Sequence, residues 1–227
     1  MTKHLIVINP NSSEVVTEGI RRAVNPLALA GMPIRCLTLA EGPRGIESQL
    51  QADLTIAPML ELAARQQDAA GFVIACFGDP GLHALRDQTT LPVLGIQESA
   101  VMTALTLGQR FGVIAIMERS IPRHLRAFGA MGVQSRLAAD RALGLSVTDL
   151  ADPDKSLAAM IRTGRQLRDI DGADVLIMGC AGMAHYRGIL EQETGLPVVE
   201  PCQAAVAMAI GQITLGLRRK GNAHEIG

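Results

Sequence analysis

The chain has no tryptophan, one tyrosine and four phenylalanines among its 227 residues. Stacked bases and caged cations need aromatic faces, so that scarcity argues against a single-strand nucleic-acid platform or a quaternary-ammonium cage. An excess of one charge is missing too. Lys and Arg number 21 against 22 Asp and Glu, a net charge of −1, with no long basic run to follow a phosphate backbone. No nucleic-acid partner is expected. No stretch approaches the ~18 uninterrupted apolar residues of a membrane span. The first apolar run, Leu5-Ile6-Val7-Ile8, stops at Asn9-Pro10 and is too short for a signal-peptide core. The expectation is a cytoplasmic protein with no membrane partner. Cysteine is used four times, without a C-x-x-C or a Cys/His cluster at zinc spacing. Neither a disulfide framework nor a structural metal is expected.

What is present is a regular alternation. Short apolar runs of strand length, LIVI (5–8), IRCLTL (34–39), FVIAC (72–76), PVLGI (92–96), GVIAI (112–116), VQSRL (133–137), DVLIMG (174–179) and PVVE (197–200), are separated by helical patterns. The helical patterns cover 13–24, 51–69, 97–108, 120–130, 153–170 and 202–217, and Asp152 followed by Pro153 reads as an N-cap and first helical position. Nearly continuous apolar strands alternating with helices imply parallel sheets covered on both faces, an α/β fold.

The chain also echoes itself. GFVIACFGDPGLHALRDQTTLPVLGIQESAVMTAL (71–105) resembles ADVLIMGCAGMAHYRGILEQETGLPVVEPCQAAVAMAI (173–210). Both run strand, cysteine, Gly-rich turn, helix, Leu-Pro-Val, short strand, Ala-rich helix. Cys76 precedes Leu91 by 15 residues and Cys180 precedes Leu196 by 16. The echo predicts two similar lobes, residues 1–98 with 209–227 and residues 99–208, related by a pseudo-twofold. Ligands of such sheets lie beyond the carboxyl ends of the strands, so the active site is expected in the cleft between lobes, with Cys76 and Cys180 on opposite walls.

One cysteine on a buried strand is usually a small hydrophobe; two at matching positions of a repeat suggest chemistry. One thiolate removes a proton from a carbon acid and the opposite thiol returns one to the other face, inverting the centre with neither metal nor organic cofactor. A free thiol has a pKa of about 8.5, lowered near helix N-termini or positive groups, and backbone N–H groups of the following turns can also hold a developing oxyanion. Cys36, within an alternating strand, and Cys202, at a helix start, read as structural. INPNSS (8–13) closes the first strand and opens a helix. Asn11 and Ser13 are candidate substrate-binding residues there, and Ser12 or Ser13 a candidate cap. Phe77 and Gly78, Ala181 and Gly182, next to the two cysteines, complete the candidate binding set with Met117 and Ser120 after the fifth strand. The five histidines have no metal-like spacing.

At INPNSS, ACFGDPGL, LPVLGIQESA and GCAGM the chain resembles the aspartate/glutamate/hydantoin racemase superfamily, and within it the hydantoin and allantoin racemases, over essentially its whole length. The resemblance implies a cofactor-independent racemase with Cys76 and Cys180 as its two bases, a five-membered cyclic ureide as substrate, and a homo-oligomer (dimer, tetramer or hexamer). A departure stands at Met117-Glu118-Arg119-Ser120, where related racemases often place Thr residues. Met117 in place of a hydroxyl favours an apolar C5 substituent. The alternatives are an amino-acid racemase, a maleate-type cis–trans isomerase, a malonate decarboxylase or a non-enzymatic small-ligand binder. Decarboxylases of this type resemble racemases with one cysteine, and diacids call for more cleft charge than the motif turns supply.

Overall fold

The computed structural model describes residues 2–145, 149 and 152–220. Among the described residues, eight strands form two four-stranded parallel sheets. The first holds β1 (His4–Asn9), β2 (Ile34–Thr38), β3 (Ala69–Ile74) and β4 (Val93–Gly95) in the order β2-β1-β3-β4. The second holds β5 (Phe111–Ala115), β6 (Leu137–Ala142), β7 (Val175–Met178) and β8 (Val198–Val199) in the order β6-β5-β7-β8. The order is the same in both, so the internal echo is a repeat of topology as well as of sequence.

Among the described residues the helices are α1 (Glu14–Val24), α2 (Gln49–Leu54), α3 (Ile56–Ala64), α4 (Leu82–Gln88), α5 (Ile96–Leu107), α6 (Ile121–Ala130), α7 (Pro153–Asp169), α8 (Arg187–Thr194) and α9 (Pro201–Thr214). Strand alternation divides the core into layers. Leu5, Val7 and Val73 of the first sheet and Val113, Val175 and Ile177 of the second join a central cluster with Val101 and Ala104 of α5 and Ala205 and Ala209 of α9. The intervening Ile6, Ile8, Phe72 and Ile74 face Met59 and Leu85 on one outer side. Ile114, Leu176 and Met178 face Met160, Leu167 and Leu190 on the other. Both sheets are thus covered on two faces, which is why their central strands read as unbroken apolar runs. Each such buried side chain contributes about 1.5–3 kcal/mol.

Two local expectations are revised. The strand placed at 133–137 is β6, Leu137–Ala142, preceded by a 3-10 turn at Gln134–Arg136. All six residues of β6 are half-buried, so this edge strand carries no apolar run to betray it. The helix placed at 51–69 is two helices. Ser48 and Gln51 form a reciprocal capping box that starts α2 earlier, and Pro58 has no N–H to offer Leu54, so the helix breaks at Thr55. Residue 69 already belongs to β3. The expected lobe division between 208 and 209 falls inside α9, and residues 221–227 lie outside the described residues. The cap at Asp152 is as anticipated: its side chain accepts from the Lys155 N–H at 3.2 Å, with Pro153 at the first helical position.

Candidate active site

In both sheets the chain order reverses at the central pair, β1/β3 and β5/β7, and a crevice opens at that point beyond the strand ends. The two turns that enter the crevice are built alike. After β3, the Ala75 N–H donates to Ile8 O at 2.8 Å; after β7, the Gly179 N–H donates to Ile114 O at 2.9 Å. The next residues are Cys76 and Cys180. Each cysteine carbonyl then accepts from the third residue on, Asp79 at 3.0 Å and Met183 at 3.3 Å. The two thiols therefore leave equivalent positions of equivalent turns.

Gly179 sits so close to the neighbouring strand that a Cβ there would lie 2.6 Å from Ile114 O and 3.2 Å from Ala115 Cα. Gly179→Ala has to push β5 and β7 apart beside Cys180. The expected cost is about 1–3 kcal/mol of stability, read as a lower urea midpoint, together with reduced activity.

Both cysteines line one cleft of about 580 Å³, its open mouth included. Of the other anticipated residues, Asn11, Phe77, Met117, Ser120 and Ala181 line it as well. Ser13 and Gly78 are not among the lining residues. The Ser13 hydroxyl accepts from the Val16 N–H at 3.4 Å and caps α1, while its own N–H donates to Asn11 Oδ1 at 2.9 Å. Gly78 has φ +123°, a conformation reserved for glycine, and is the third residue of the Cys76–Asp79 turn. Gly182 belongs to the 3-10 turn Ala181–Tyr186, and its surroundings lie outside the described residues. Cys36 and Cys202 are buried in the core, and no cysteine is in a disulfide among the described residues.

Asn9 organises the first wall from below. It is buried, and its amide donates to Asn11 Oδ1 at 2.9 Å and Thr17 Oγ1 at 3.0 Å, while its own Oδ1 accepts from the Asn11 N–H at 3.2 Å. The Asn11 side chain is thereby held at the cleft.

Among the lining residues that went unselected in the sequence are Ile46, Glu47, Arg123 and His124. Glu47 forms an ion pair with Arg119, and Gln49 accepts from Arg126 at 2.7 Å, so the start of α2 and the residues leading into it are tied across the cleft to the second lobe. His124 is buried on α6, with Nδ1 2.7 Å from Asp140 Oδ2 and its ring edge-on to Phe77 at 5.0 Å. The Cys76 thiol is pushed up to about 12 by loss of hydration; Arg123 opposes that rise, and the proximity of Cys180 and Asp79 adds to it. At this thiol burial outweighs the stabilising groups anticipated from the sequence, so Cys76 rests protonated.

Each lobe also buries a carboxylate at the start of a helix. Asp79 accepts from the Gln97 and Glu98 N–H groups, both at 2.9 Å, and so closes the Cys76 turn onto α5. Glu200 accepts from Cys202 at 3.2 Å and Gln203 at 2.6 Å on α9. The position matching Glu200 in the first lobe is Gly95, where a Cβ would fall 2.2 Å from Asp79 Cγ. One helix is capped from its own sequence and the other by a carboxylate reaching in from the cysteine turn. Burial raises both groups to about 7, against the N–H bonds that favour the charge. Raised in the fold, they bind protons that the unfolded chain has released between the ordinary carboxylate range and about pH 7. Their contribution to stability is therefore full below that window and lost as pH rises through it. The urea midpoint is expected to fall across that interval, and Asp79→Asn with Glu200→Gln should flatten the slope.

The sequence profile of the Asp/Glu/hydantoin racemase family matches residues 5–209. A hydantoin racemase from Pseudomonas sp. (strain NS671) is 35% identical over 213 residues, 92% of this chain and 86% of that protein. The crystal structure of an allantoin racemase from Pseudomonas fluorescens superposes with a TM-score of 0.93 at 29% identity, covering 97% of this chain and 94% of that one. An allantoin racemase from Klebsiella pneumoniae superposes with a TM-score of 0.89 at 32% identity, covering 97% and 91%.

Proposed function

Because the chain belongs to the Asp/Glu/hydantoin racemase family, we propose that it inverts C5 of a 5-substituted hydantoin, allantoin included, with Cys76 and Cys180 as bases on opposite faces of the ring. The observation that carries this reading is the equivalence of the two thiols: same turn, same place beyond the third strand of each sheet, same cleft. The C5 proton is acidic because its removal yields an enolate delocalised over a planar ring. One sulfur, as thiolate, takes that proton and becomes a thiol; the C5 electron pair moves into the adjacent carbonyl. The opposite thiol then delivers its proton to the other face of C5 and is left as thiolate. Charge and protons balance without metal or organic cofactor.

The active form carries one proton on the pair, and the two thiols titrate as a unit. Burial raises the Cys76 thiol and so favours the form in which Cys76 holds that proton; for the opposite enantiomer the two thiols exchange roles. Asn11 and the turn N–H groups around Cys76 and Cys180 face the ring carbonyls, and Ser120 lies at the second wall. Exposed Val15 on α1, with Leu50 and Leu54 on α2, offers apolar surface to a second copy, in keeping with a homo-oligomer. No described helix is long and apolar enough to cross a membrane, and the proposed setting is cytoplasmic.

The test follows optical rotation of a single-enantiomer 5-substituted hydantoin in D2O. Rotation should decay to zero with deuterium incorporated at C5. Decay without deuterium in the product would exclude proton abstraction.

A further inference from the structure

Arg123 is a half-buried residue of α6 that lines the cleft with both cysteines. Its Nε lies 3.2 Å from where a Cβ on Gly78 would stand, so the glycine leaves room for the guanidinium against the back of the Cys76 turn. The other charges nearby are engaged. Glu47 is paired with Arg119, Asp79 accepts two helix N–H groups and feels Arg86 rather than Arg123, and Asp140 holds His124. Among the described residues Arg123 has neither a hydrogen-bond acceptor nor an ion-pair partner. A guanidinium is always charged and offers a planar fork of donors suited to carboxylate. A half-buried guanidinium with no protein partner keeps that fork open to an anion that arrives with the ligand.

We infer that Arg123 selects a substrate whose C5 side chain ends in a carboxylate, the apolar walls at Val16, Ile46 and Met117 covering the intervening methylenes. The inference rests on the hydantoin reading above and narrows it: the apolar substituent suggested by Met117 alone becomes an apolar stem with an anionic end. Allantoin, whose C5 substituent is neutral, falls outside the preferred class.

The experiment compares hydantoin-5-propionate with its isosteric carboxamide, and with 5-isobutylhydantoin, for wild type, Arg123→Gln and Arg123→Lys. Wild type should favour the carboxylate over the carboxamide by about ten- to a hundredfold in kcat/KM, the range of a charge-assisted hydrogen bond. Arg123→Gln should erase that preference, read as the carboxylate-to-carboxamide ratio within the variant so that any loss through the Cys76 thiol, common to all three substrates, cancels; Arg123→Lys should keep part of it, as a point charge without the fork. Equal loss on all three substrates would assign Arg123 to the Cys76 thiolate alone and overturn the inference. So would a wild type that ignores the carboxylate, and in both cases hydantoin racemisation itself stands. Absence of turnover with every hydantoin would instead overturn the reading beneath it.

Discussion

Replacing either Cys76 or Cys180 with alanine is expected to lower racemisation by about 10²–10⁴-fold, the usual worth of a positioned acid or base. The loss should be as large for one cysteine as for both together, because a single missing face stops the inversion. Deuterium exchange separates the two roles. A variant with one thiol can still remove and return a proton on its own face, so each serine or alanine variant should exchange C5–H of one enantiomer without inverting it, and the two variants should choose opposite enantiomers. Since substrate and product are mirror images, kcat/KM for the wild type must be equal in both directions, which provides an internal control. Full racemisation with either cysteine replaced by alanine would sink the two-thiol mechanism.

The largest effect on stability is expected at His124. Asp140 is 1% exposed in its side chain, its Oδ2 is held by His124, and its Oδ1 has no partner among the described residues. His124→Leu would leave a buried carboxylate with nothing on either oxygen, and breaking a buried pair in this way costs about 3–5 kcal/mol. Against a typical total of about 5–15 kcal/mol that is severe. The double variant His124→Leu with Asp140→Leu should recover most of the loss, since apolar residues of similar volume replace a buried pair at little cost. Urea unfolding followed by circular dichroism measures all of these. A loss below about 0.5 kcal/mol in the single variant, the level of an ordinary surface change, would mean that Asp140 is not held by His124.

How much of this was legible beforehand depended on what each residue does for the chain. Among the described residues, six of the eight strands lie where apolar runs predicted them, because strands buried on both faces have no polar alternation to disguise them, and the edge strand β2 lies where its alternation about Cys36 placed it. The eighth, β6, is an edge strand in which Asp140 and Arg141 sit among alanines, and its signal is lost. The two cysteines stand out when the chain is compared with itself, since the fold repeats the turn and the residue together. Arg123 and His124 were missed for a different reason. In Ile121–Ala130 they look like the solvated side of an amphipathic helix, yet His124 stands four positions before buried Phe128, on the apolar face. That spacing was the available clue. Nothing comparable marks Glu47, which reaches the cleft from a loop. Ser13 was read as both cap and contact, and the hydrogen bond to Val16 shows the cap.

The identical strand order of the two sheets has a meaning for a reaction that exchanges left and right. A protein of L-residues cannot build the reflection of one of its own walls; the nearest it can manage is the same wall turned by half a revolution. For most chiral molecules a half-turn is no substitute for a reflection. A flat ring comes nearest to an exception, because a half-turn about an axis in its plane presents its other face, although the ring atoms on the two sides of C5 change places. On the proposed chemistry, the repeat sets one thiol against each face of a planar enolate, and the unlike residues of the two walls meet the unlike sides of the ring.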